Sequence, residues 1–440
     1  MTIPGTPPTD AHPLQPPPAG TGRALPAPDG RPGPGPAYLI GLAAASTAMM
    51  ASLLSVAILT MPLKATAIDA DAATTTISIA NGFAGALALV AYPVFGRLSD
   101  RTTWRTGRRR PYLLLGAALI AAGAVLVLRA GSTAALTAGW TVMTLGQTSA
   151  MAALGASIPD QLPPERRGPA SAVFGVAATV GAVVGLGLAS ALSSSVTAMV
   201  LVPAGLAVVM LAAFAVVLRD ERLDRSARPA LVRSEVIGTF WVNPVRHTGF
   251  SLAFASRFAV FCSIAAVNTY QALYMIMSLH VDPAEVAAKI FLATLAAGGA
   301  SLVFALAMGK LSDRVGRRKP FVVVSAVVFG AGIALVAAAS SFGEFLLAVT
   351  VVGIGQGVYL AVDFALVTQV LPDPKNPAKD LGIMNLASSL PNIAVPVVAP
   401  ALLALGASAA APQNFSALFL AGAVTGVLGA VLVVPIRGVR

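Results

Sequence analysis

Ionisable residues are scarce inside the long apolar stretches of this 440-residue sequence, and the two that lie deepest are Arg257 and Asp363. A carboxyl group beside a cation and away from water can bind and release a proton, because desolvation and the neighbouring charge set its proton affinity. A charge at the middle of a membrane span costs about 2.5–3.5 kcal/mol on insertion scales. Arg257 and Asp363 are therefore the candidates for proton coupling, with a permanent structural salt bridge as the alternative.

Amide and aromatic side chains in the same apolar stretches form a second group of candidates. Amides hydrogen-bond to the hydroxyls of sugars, and aromatic rings provide a platform for them. Three of these residues, Asn268, Gln271 and Tyr274, recur at three-residue spacing and so are predicted to share a helix face. The full set of substrate-binding candidates is Gln147, Asn268, Gln271, Tyr274, Gln356, Tyr359 and Asn385. Hydrogen bonding between helices is the alternative role for each of them.

The composition indicates which elements position these residues. The sequence is 56% apolar and 11% charged, less than half of the roughly 25% charged residues of soluble domains. So few charges cannot cover the surface of a soluble protein of this size. This excludes an ordinary cytosolic enzyme, a nucleic-acid-binding module and a disordered regulator, and it predicts a polytopic protein in a lipid bilayer.

Twelve apolar runs are long enough to cross the roughly 30 Å hydrocarbon core of a membrane. The fold class is therefore all-α integral membrane. The runs predict helices near residues 37–62, 74–96, 111–129, 135–158, 169–191, 198–218, 249–278, 287–309, 320–339, 344–371, 381–405 and 415–436.

The basic residues alternate with these helices as the positive-inside rule requires. Only Lys64, Arg129, Arg257 and Lys289 fall outside the predicted cytoplasmic segments, which leaves 25 of the 29 lysines and arginines on that side. We therefore expect a multi-pass protein of the cell membrane with both termini in the cytoplasm. The net charge of +11 needs no nucleic-acid partner.

Charge and proline content divide the chain into five parts. Residues 1–36 form a proline-rich tail that is predicted to be disordered and cytoplasmic, because it has little apolar surface to bury. Residues 37–218 and 249–436 form two predicted six-helix bundles. A charged cytoplasmic loop, 219–248, joins them and has room for a short amphipathic helix, and residues 437–440 are a cytoplasmic C-terminus. We expect a monomer.

The two predicted bundles repeat a motif. GRLSDR at 96–101 and GRRRP at 107–111 recur as GKLSDR at 309–314 and GRRKP at 316–320, and IPDQLP at 158–163 recurs as VTQVLP at 367–372. Collinear matches of this kind indicate a duplicated chain. The motif residues proposed for gating are Gly96, Asp100, Arg101, Gly107, Arg108, Arg109, Gly309, Asp313, Arg314, Gly316 and Arg317.

Elementary physics assigns roles to this motif. Gly96 and Gly309 would let two helices approach closely. Asp100 and Asp313 would cap the positive N-terminus of a neighbouring helix. Asp160 would join Asp100 in a cytoplasmic charge network with Arg166 and Arg167, or it would simply end its own helix.

The doubled motif resembles the loop signature of the major facilitator superfamily. SDRT…GRRRP and VDFALVTQVLPDP resemble its sucrose-transporter-like branch, which is related to glycoside–cation symporters. The resemblance implies two pseudo-symmetric six-helix bundles with a cavity lined by helices 1, 4, 7 and 10, and motif acids that contact helices 11 and 5. The implied function is alternating-access transport of a small-molecule substrate. The implied partners are a proton and a glycoside or other small polar solute. The second predicted helix lacks the acids of glycoside–cation symporters, which argues against sodium.

Other classes of function are less compatible with the residues. Efflux of hydrophobic drugs is the rival within transporters. His12, His247 and His280 are scattered without metal-ligand spacing, so no metal, no cofactor and no enzymatic activity are expected. A phosphate-binding Gly-x-x-x-x-Gly-Lys motif is absent from the sequence, which argues against ATP-driven transport. A membrane sensor without flux is the remaining alternative.

Overall fold

The computed structural model describes residues 35–220, 222–223, 247–315, 319–370, 372, 377–407 and 413–436. Helices joined by short turns make up these residues, and no strand occurs among them. Several predicted features lie outside the described residues. They are residues 1–34 of the proline-rich tail, most of the central loop with its predicted amphipathic helix, the motif residues Gly316 and Arg317, and the C-terminus 437–440.

Thirteen helices occur in the described ranges. They are α1 Pro36–Ile68, α2 Ala73–Arg101, α3 Arg110–Arg129, α4 Thr133–Gln161, α5 Pro164–Ala191, α6 Val196–Val217, α7 Thr248–Met277, α8 Pro283–Val315, α9 Lys319–Ala338, α10 Phe342–Gln369, α11 Pro377–Ser389, α12 Pro391–Ala404 and α13 Phe415–Val431.

The helices account for all twelve predicted spans, because α11 and α12 together occupy the eleventh. Ten described segments are long and apolar enough to cross a membrane. The remaining two are α13, which is shorter, and α4, which has 29 residues but carries several Thr, Ser and Gln side chains. The extra polarity of α4 is consistent with a helix that lines an internal cavity rather than lipid.

Several helix boundaries differ from the sequence prediction, most clearly at the repeated motif and in the eleventh predicted span. The predicted loop motif is helical, since α2 continues to Arg101 and α8 to Val315; the hydrophobic run ends before the helix does. The predicted helix 381–405 is interrupted at Leu390, where Pro391 lacks the N–H that a continuous helix would need, and α12 starts again with this proline in its first turn.

A short π-helical stretch, Val56–Thr60, interrupts α1. The hydroxyl of Thr60 donates to the carbonyl of Ser55, five residues earlier, and Pro62 follows within two residues. Proline cannot continue the regular ladder of hydrogen bonds, and a π-turn is one way to accommodate it. This part of α1 packs against α7, so the irregular turn lies where the first helix meets the second half of the chain.

Helix packing in the first six spans recurs in the last six. In the first set α4 packs against α2 and α3, and α1 packs against α5 and α6. In the second set α10 packs against α8 and α9, and α7 packs against α12 and α13. The helix-to-helix contacts therefore follow the same duplication as the sequence motif.

Glycines mark the repeated contacts at the level of single residues. A Cβ on Gly123 would meet the backbone of Met143, and one on Gly332 would meet the backbone of Val352. The two glycines are 209 residues apart, as are Met143 and Val352. The backbones of facing helices touch at equivalent positions, which is how small residues hold membrane helices together.

Candidate functional site

Arg257 of α7 and Asp363 of α10 lie together inside the helix bundle. Arg257 Nε is 3.4 Å from Asp363 Oδ2, and the Asp363 residue is only 5% exposed. This separation exceeds the 2.7–2.9 Å of a tight charge-assisted hydrogen bond, and Nε has no hydrogen-bond partner among the described residues. The pair is therefore held by charge attraction at low dielectric without ideal hydrogen-bond geometry.

Two aromatic side chains complete this pair. The hydroxyl of Tyr359, one helical turn before Asp363, donates to Asp363 Oδ1 at 2.9 Å. The Arg257 guanidinium lies 5.7 Å from the centre of the Phe261 ring, one turn further along α7. Each charged group thus has an additional stabilising contact on its own helix, which helps to hold both charges in an apolar bundle.

The other substrate-binding candidates occupy different surroundings. Gln147 is 5% exposed, and neither its Oε1 nor its Nε2 has a hydrogen-bond partner among the described residues. Tyr359 belongs to the ion-pair site described above. Gln271 is buried, Gln356 is half-buried, and Asn385 is exposed on α11.

Asn268, Gln271 and Tyr274, for which the sequence predicts a shared helix face, have different surroundings in the structure. Asn268 is exposed, whereas Tyr274 packs against Phe345, Phe415 and Phe419. The Tyr274 hydroxyl donates to the backbone carbonyls of Val336 in α9 and of Ala339 just after it. Three residues rotate by 300°, so each step of this spacing moves the side chain about 60° around the helix.

A second polar site joins the motif residues at the end of the bundle that carries the basic loops. Arg109 Nη2 is 2.6 Å from Asp100, and Arg109 Nε is 2.7 Å from Asp160. Arg108 pairs with the other oxygen of Asp160 at 2.6 Å, and Arg109 Nη1 donates to Ser99 Oγ. Burial by itself would lower the pKa of Arg109, but the hydrogen bond and charge of Asp160, together with those of Asp100, raise it.

The charge network differs from the sequence prediction in its partners. Asp160 does join Asp100, but through Arg109, which pairs with both acids, rather than through the predicted Arg166 and Arg167; Arg108 pairs with Asp160. The guanidinium of Arg167 donates to the carbonyls of Leu162 and Pro159, and Arg166 has no described ion pair. The turn after α4 places the Arg167 side chain against the backbone at the end of α4. The loop before α3 instead places Arg108 and Arg109 next to Asp160.

Asp220 is a site residue that the sequence analysis missed. Its Oδ2 accepts hydrogen bonds from the backbone N–H groups of Arg109 and Arg110, at 2.6 and 2.7 Å, at the start of α3. A carboxylate at this position satisfies free N–H groups and opposes the positive end of the helix. The available signal was an acid directly after the sixth predicted span.

Gly107 is required by this contact. Its φ is +102°, and a Cβ there would collide with the Asp220 carboxylate. Gly96 does not have the close contact predicted for it, because an added Cβ would meet nothing within 4 Å, and Gly309 has only an ordinary contact with Ala361 at 3.6 Å. Of the three motif glycines that the structure describes, Gly107 in the turn is therefore the one constrained by its surroundings.

The remaining motif residues have fewer described contacts. Arg101 is half-buried, and its Nη1 has no hydrogen-bond partner among the described residues. Arg314 is exposed near the end of α8, and Asp313 is helical. Asp100 does not cap a neighbouring helix here: its described partner is Arg109 of the same half of the chain.

Arg109 is expected to contribute more to stability than Arg108. Arg109→Met removes a guanidinium that is 5% exposed and leaves Asp100 and Asp160 close together without it, which should cost about 3 kcal/mol. Arg108→Met removes one contact of a side chain that is 22% exposed and should cost about 1 kcal/mol or less. Thermal unfolding of the two purified variants in one detergent measures the difference, and equal losses would contradict the central role of Arg109.

The two halves of the chain touch at the end opposite the basic loops. Ser78, near the start of α2, shares a buried hydrogen bond of 2.6 Å with Tyr270, near the end of α7. A Cβ on Gly187 of α5 would lie 3.1 Å from the Phe291 ring of α8. α12 also packs against α2, whereas α11, nearer the basic loops, packs against α7 and α12.

This architecture defines a class of protein. Duplicated sets of membrane-length helices enclose a buried acid–base pair, as in membrane transporters built from repeats. The chain belongs to the Major Facilitator Superfamily, whose profile it matches over residues 40–302 and 253–440. It is therefore a transporter, and the family is not one of enzymes.

Solved structures share the fold at low identity. The nucleoside transporter NupG is 13% identical, with a TM-score of 0.69 over 92% of this chain and 100% of its own. A bacterial homologue of the human lysosomal transporter Spinster, inward-facing and unoccupied, is 16% identical, with a TM-score of 0.63 over 91% of this chain and 95% of its own. At these identities the likeness concerns the fold alone.

Two curated relatives match shorter stretches. The multidrug resistance protein MdtL of Klebsiella pneumoniae (strain 342) is 32% identical over 148 residues, which are 32% of this chain and 36% of the relative. MdtL of Shewanella sp. (strain ANA-3) is 34% identical over 118 residues, 27% of each chain. The aligned part of this chain thus spans about a third of those relatives or less.

Proposed function

We propose that this protein is a proton-coupled secondary transporter that moves a small polar solute across the cell membrane by alternating access. The observation that carries the proposal is the buried pair of Arg257 and Asp363. Two charges inside a membrane bundle are expensive, and pairing lowers that cost only while both are ionised. Proton binding to Asp363 would leave Arg257 without its counter-charge and so favour a different arrangement of α7 and α10.

The positions of the charged loops support an inward-facing orientation. If both termini are cytoplasmic, the Ser78–Tyr270 contact closes the outer side and the basic loops surround the inner side. In the opposite state Asp100, now bound to Arg109, would be free to cap α11 of the other half, and Asp313 would be placed to cap α5. The exchange of partners would make the motif a cytoplasmic gate, and one chain would contain the whole pathway as a monomer.

The proposed cargo is a glycoside or another small polar solute. The buried amides of Gln147 and Gln271 support this choice, because an apolar cargo offers them no hydrogen bonds. The sequence resemblance to the sucrose-transporter-like branch points the same way. Proton-coupled efflux of hydrophobic drugs is the second candidate, and the partial match to the multidrug resistance protein MdtL favours it.

Transport by the purified full chain in liposomes tests these proposals. With an acidic exterior, the first candidate predicts uptake of sucrose, methyl α-glucoside or uridine against a concentration gradient. The second predicts that a pH gradient of the opposite direction drives ethidium movement, with no effect on the polar solutes. Polar-solute flux that ignores the pH gradient would exclude proton coupling, and flux of ethidium alone would exclude the polar cargo.

A further inference from the structure

Gln147 has an unusual environment for a buried amide. The residue is 5% exposed, and neither its oxygen nor its nitrogen is hydrogen-bonded within the described part of the chain. Most buried side-chain amides in proteins have a partner, and those that lack one need a specific explanation. The neighbouring Thr144 also has a hydroxyl without a described partner. The middle of α4 therefore presents hydrogen-bonding capacity that the described part of the chain does not use.

The duplication relates Gln147 to Gln356. The dipeptide Gly-Gln occurs at 146–147 and again at 355–356, a separation of 209 residues. A Cβ on Gly146 would meet the backbone of Ile120, and one on Gly355 would meet that of Phe329, again 209 residues further on. The glycines make equivalent helix contacts, so the glutamines that follow them leave α4 and α10 in equivalent directions.

Both glutamines lie at half the length of their helices. Residue 147 is the middle of Thr133–Gln161, and residue 356 is within one residue of the middle of Phe342–Gln369. Substrate sites of repeat-built transporters lie near the bilayer midplane, where the repeats meet. The two amides are therefore at the depth at which a solute would be bound between the halves.

The direction of Gln356 is indicated by Asp363. Seven residues separate them, close to two full turns, so they share one face of α10, about 10 Å apart along the axis. Asp363 on this face meets Arg257 of α7. Gly353 and Gly357, on a different side of the helix, instead face Ala297 and Ser301 of α8. Gln356 thus faces the ion-pair side of the bundle, and the repeat gives Gln147 the corresponding direction from α4.

We propose that Gln147 and Gln356 form one binding site for a neutral polyhydroxylated solute, with one amide from each half of the chain. Each amide offers both a donor and an acceptor, which matches adjacent hydroxyl groups. The solute would bridge the halves two turns from Asp363, close enough for its arrival to alter the ion pair. The inference rests on the proposed polar cargo and specifies which residues recognise it.

Binding to the purified full-length protein tests this site. Calorimetry with sucrose, methyl α-glucoside and uridine, and with ethidium as the apolar comparison, is applied to the wild type, Gln147→Met and Gln356→Met. Each replacement should weaken binding of the polar solute by about tenfold or more, the value of one or two hydrogen bonds. Gln161→Met is the control, because that amide donates to the Arg219 carbonyl at the helix end and should not affect binding.

The melting temperature without ligand separates recognition from helix packing. Gln147→Met should leave it unchanged or raise it, because the amide has no hydrogen bond to any described residue that the replacement would remove. A lowered melting temperature with unchanged affinity would overturn the proposal, as would wild-type affinity in both variants or binding of ethidium alone. If the variants lose binding while the wild type transports without a pH gradient, the site stands and proton coupling fails. If both variants accumulate the polar solute in response to a pH gradient as the wild type does, the proposed binding site is wrong and the proposed function survives.

Discussion

Asp363→Asn is expected to abolish accumulation of solute against its gradient while leaving downhill exchange largely intact. Asparagine fills nearly the same volume and can still accept from Tyr359, but it cannot bind and release a proton at the position that faces Arg257. One pH unit corresponds to 1.36 kcal/mol per proton and supports about tenfold accumulation in the wild type. In the variant the ratio of internal to external solute should fall to about one.

The measurement uses proteoliposomes with the membrane potential clamped and an acidic exterior. Counterflow of labelled solute, which needs no net proton movement, reports that the variant is folded and can still cycle. Asp282→Asn is the matched control, because Asp282 is exposed just before α8 and its carboxylate accepts a hydrogen bond from the nearby backbone N–H of Ala284. Undiminished accumulation by Asp363→Asn would show that the buried pair is structural and that protons couple elsewhere.

Gly185→Ala is expected to destabilise the protein strongly, by about 2–3 kcal/mol. A Cβ at this position in α5 would collide with the backbone carbonyl of Ala51 in α1, and a backbone atom cannot move aside as a side chain can. Gly181, one turn earlier, makes a similar close contact with the backbone at Ala51 and with Met50. The two helices would therefore have to separate along this face.

Gly175→Ala in the same helix is the control and should act in the opposite direction. A Cβ on Gly175 would meet nothing within 4 Å, and replacement of glycine inside a helix by alanine contributes about 0.5–1 kcal/mol of stability. Thermal unfolding of both variants, with expression level as a second readout, measures the contrast. Similar melting temperatures for the two variants would contradict the packing of α5 against α1.

Much of the architecture could be predicted from the sequence because it depends on local composition. Hydropathy marks the twelve spans, and the repeated motif marks the duplication. Arg257 and Asp363 could be paired before the structure was seen, since their predicted depths in oppositely running helices agree and an unpaired charge in lipid is costly. The 3.4 Å ion pair confirms that they lie together, while its role in proton coupling stays a prediction.

Boundaries were less predictable where two local signals compete. The apolar runs end before α2 and α8 do, because polar residues beyond the edge of the membrane can continue the same helix in water. The eleventh span reads as one apolar run, although Pro391 divides it into α11 and α12. Hydropathy indicates whether a segment lies in lipid or in water. The backbone hydrogen bonds, which a proline interrupts, determine whether that segment is one continuous helix.

The sequence by itself therefore determined the class of protein, its number of spans, its duplication and its buried acid–base pair. Only the tertiary structure decided which arginines bind Asp160, that Asp220 caps α3, and that Gly107 and Gly185 rather than Gly96 are sterically constrained. It also decided that Gln147 is buried with no hydrogen-bond partner in the described ranges. The reason is physical. Membrane burial acts on each helix separately, whereas long polar side chains and close glycine contacts depend on which helices the packed bundle brings side by side.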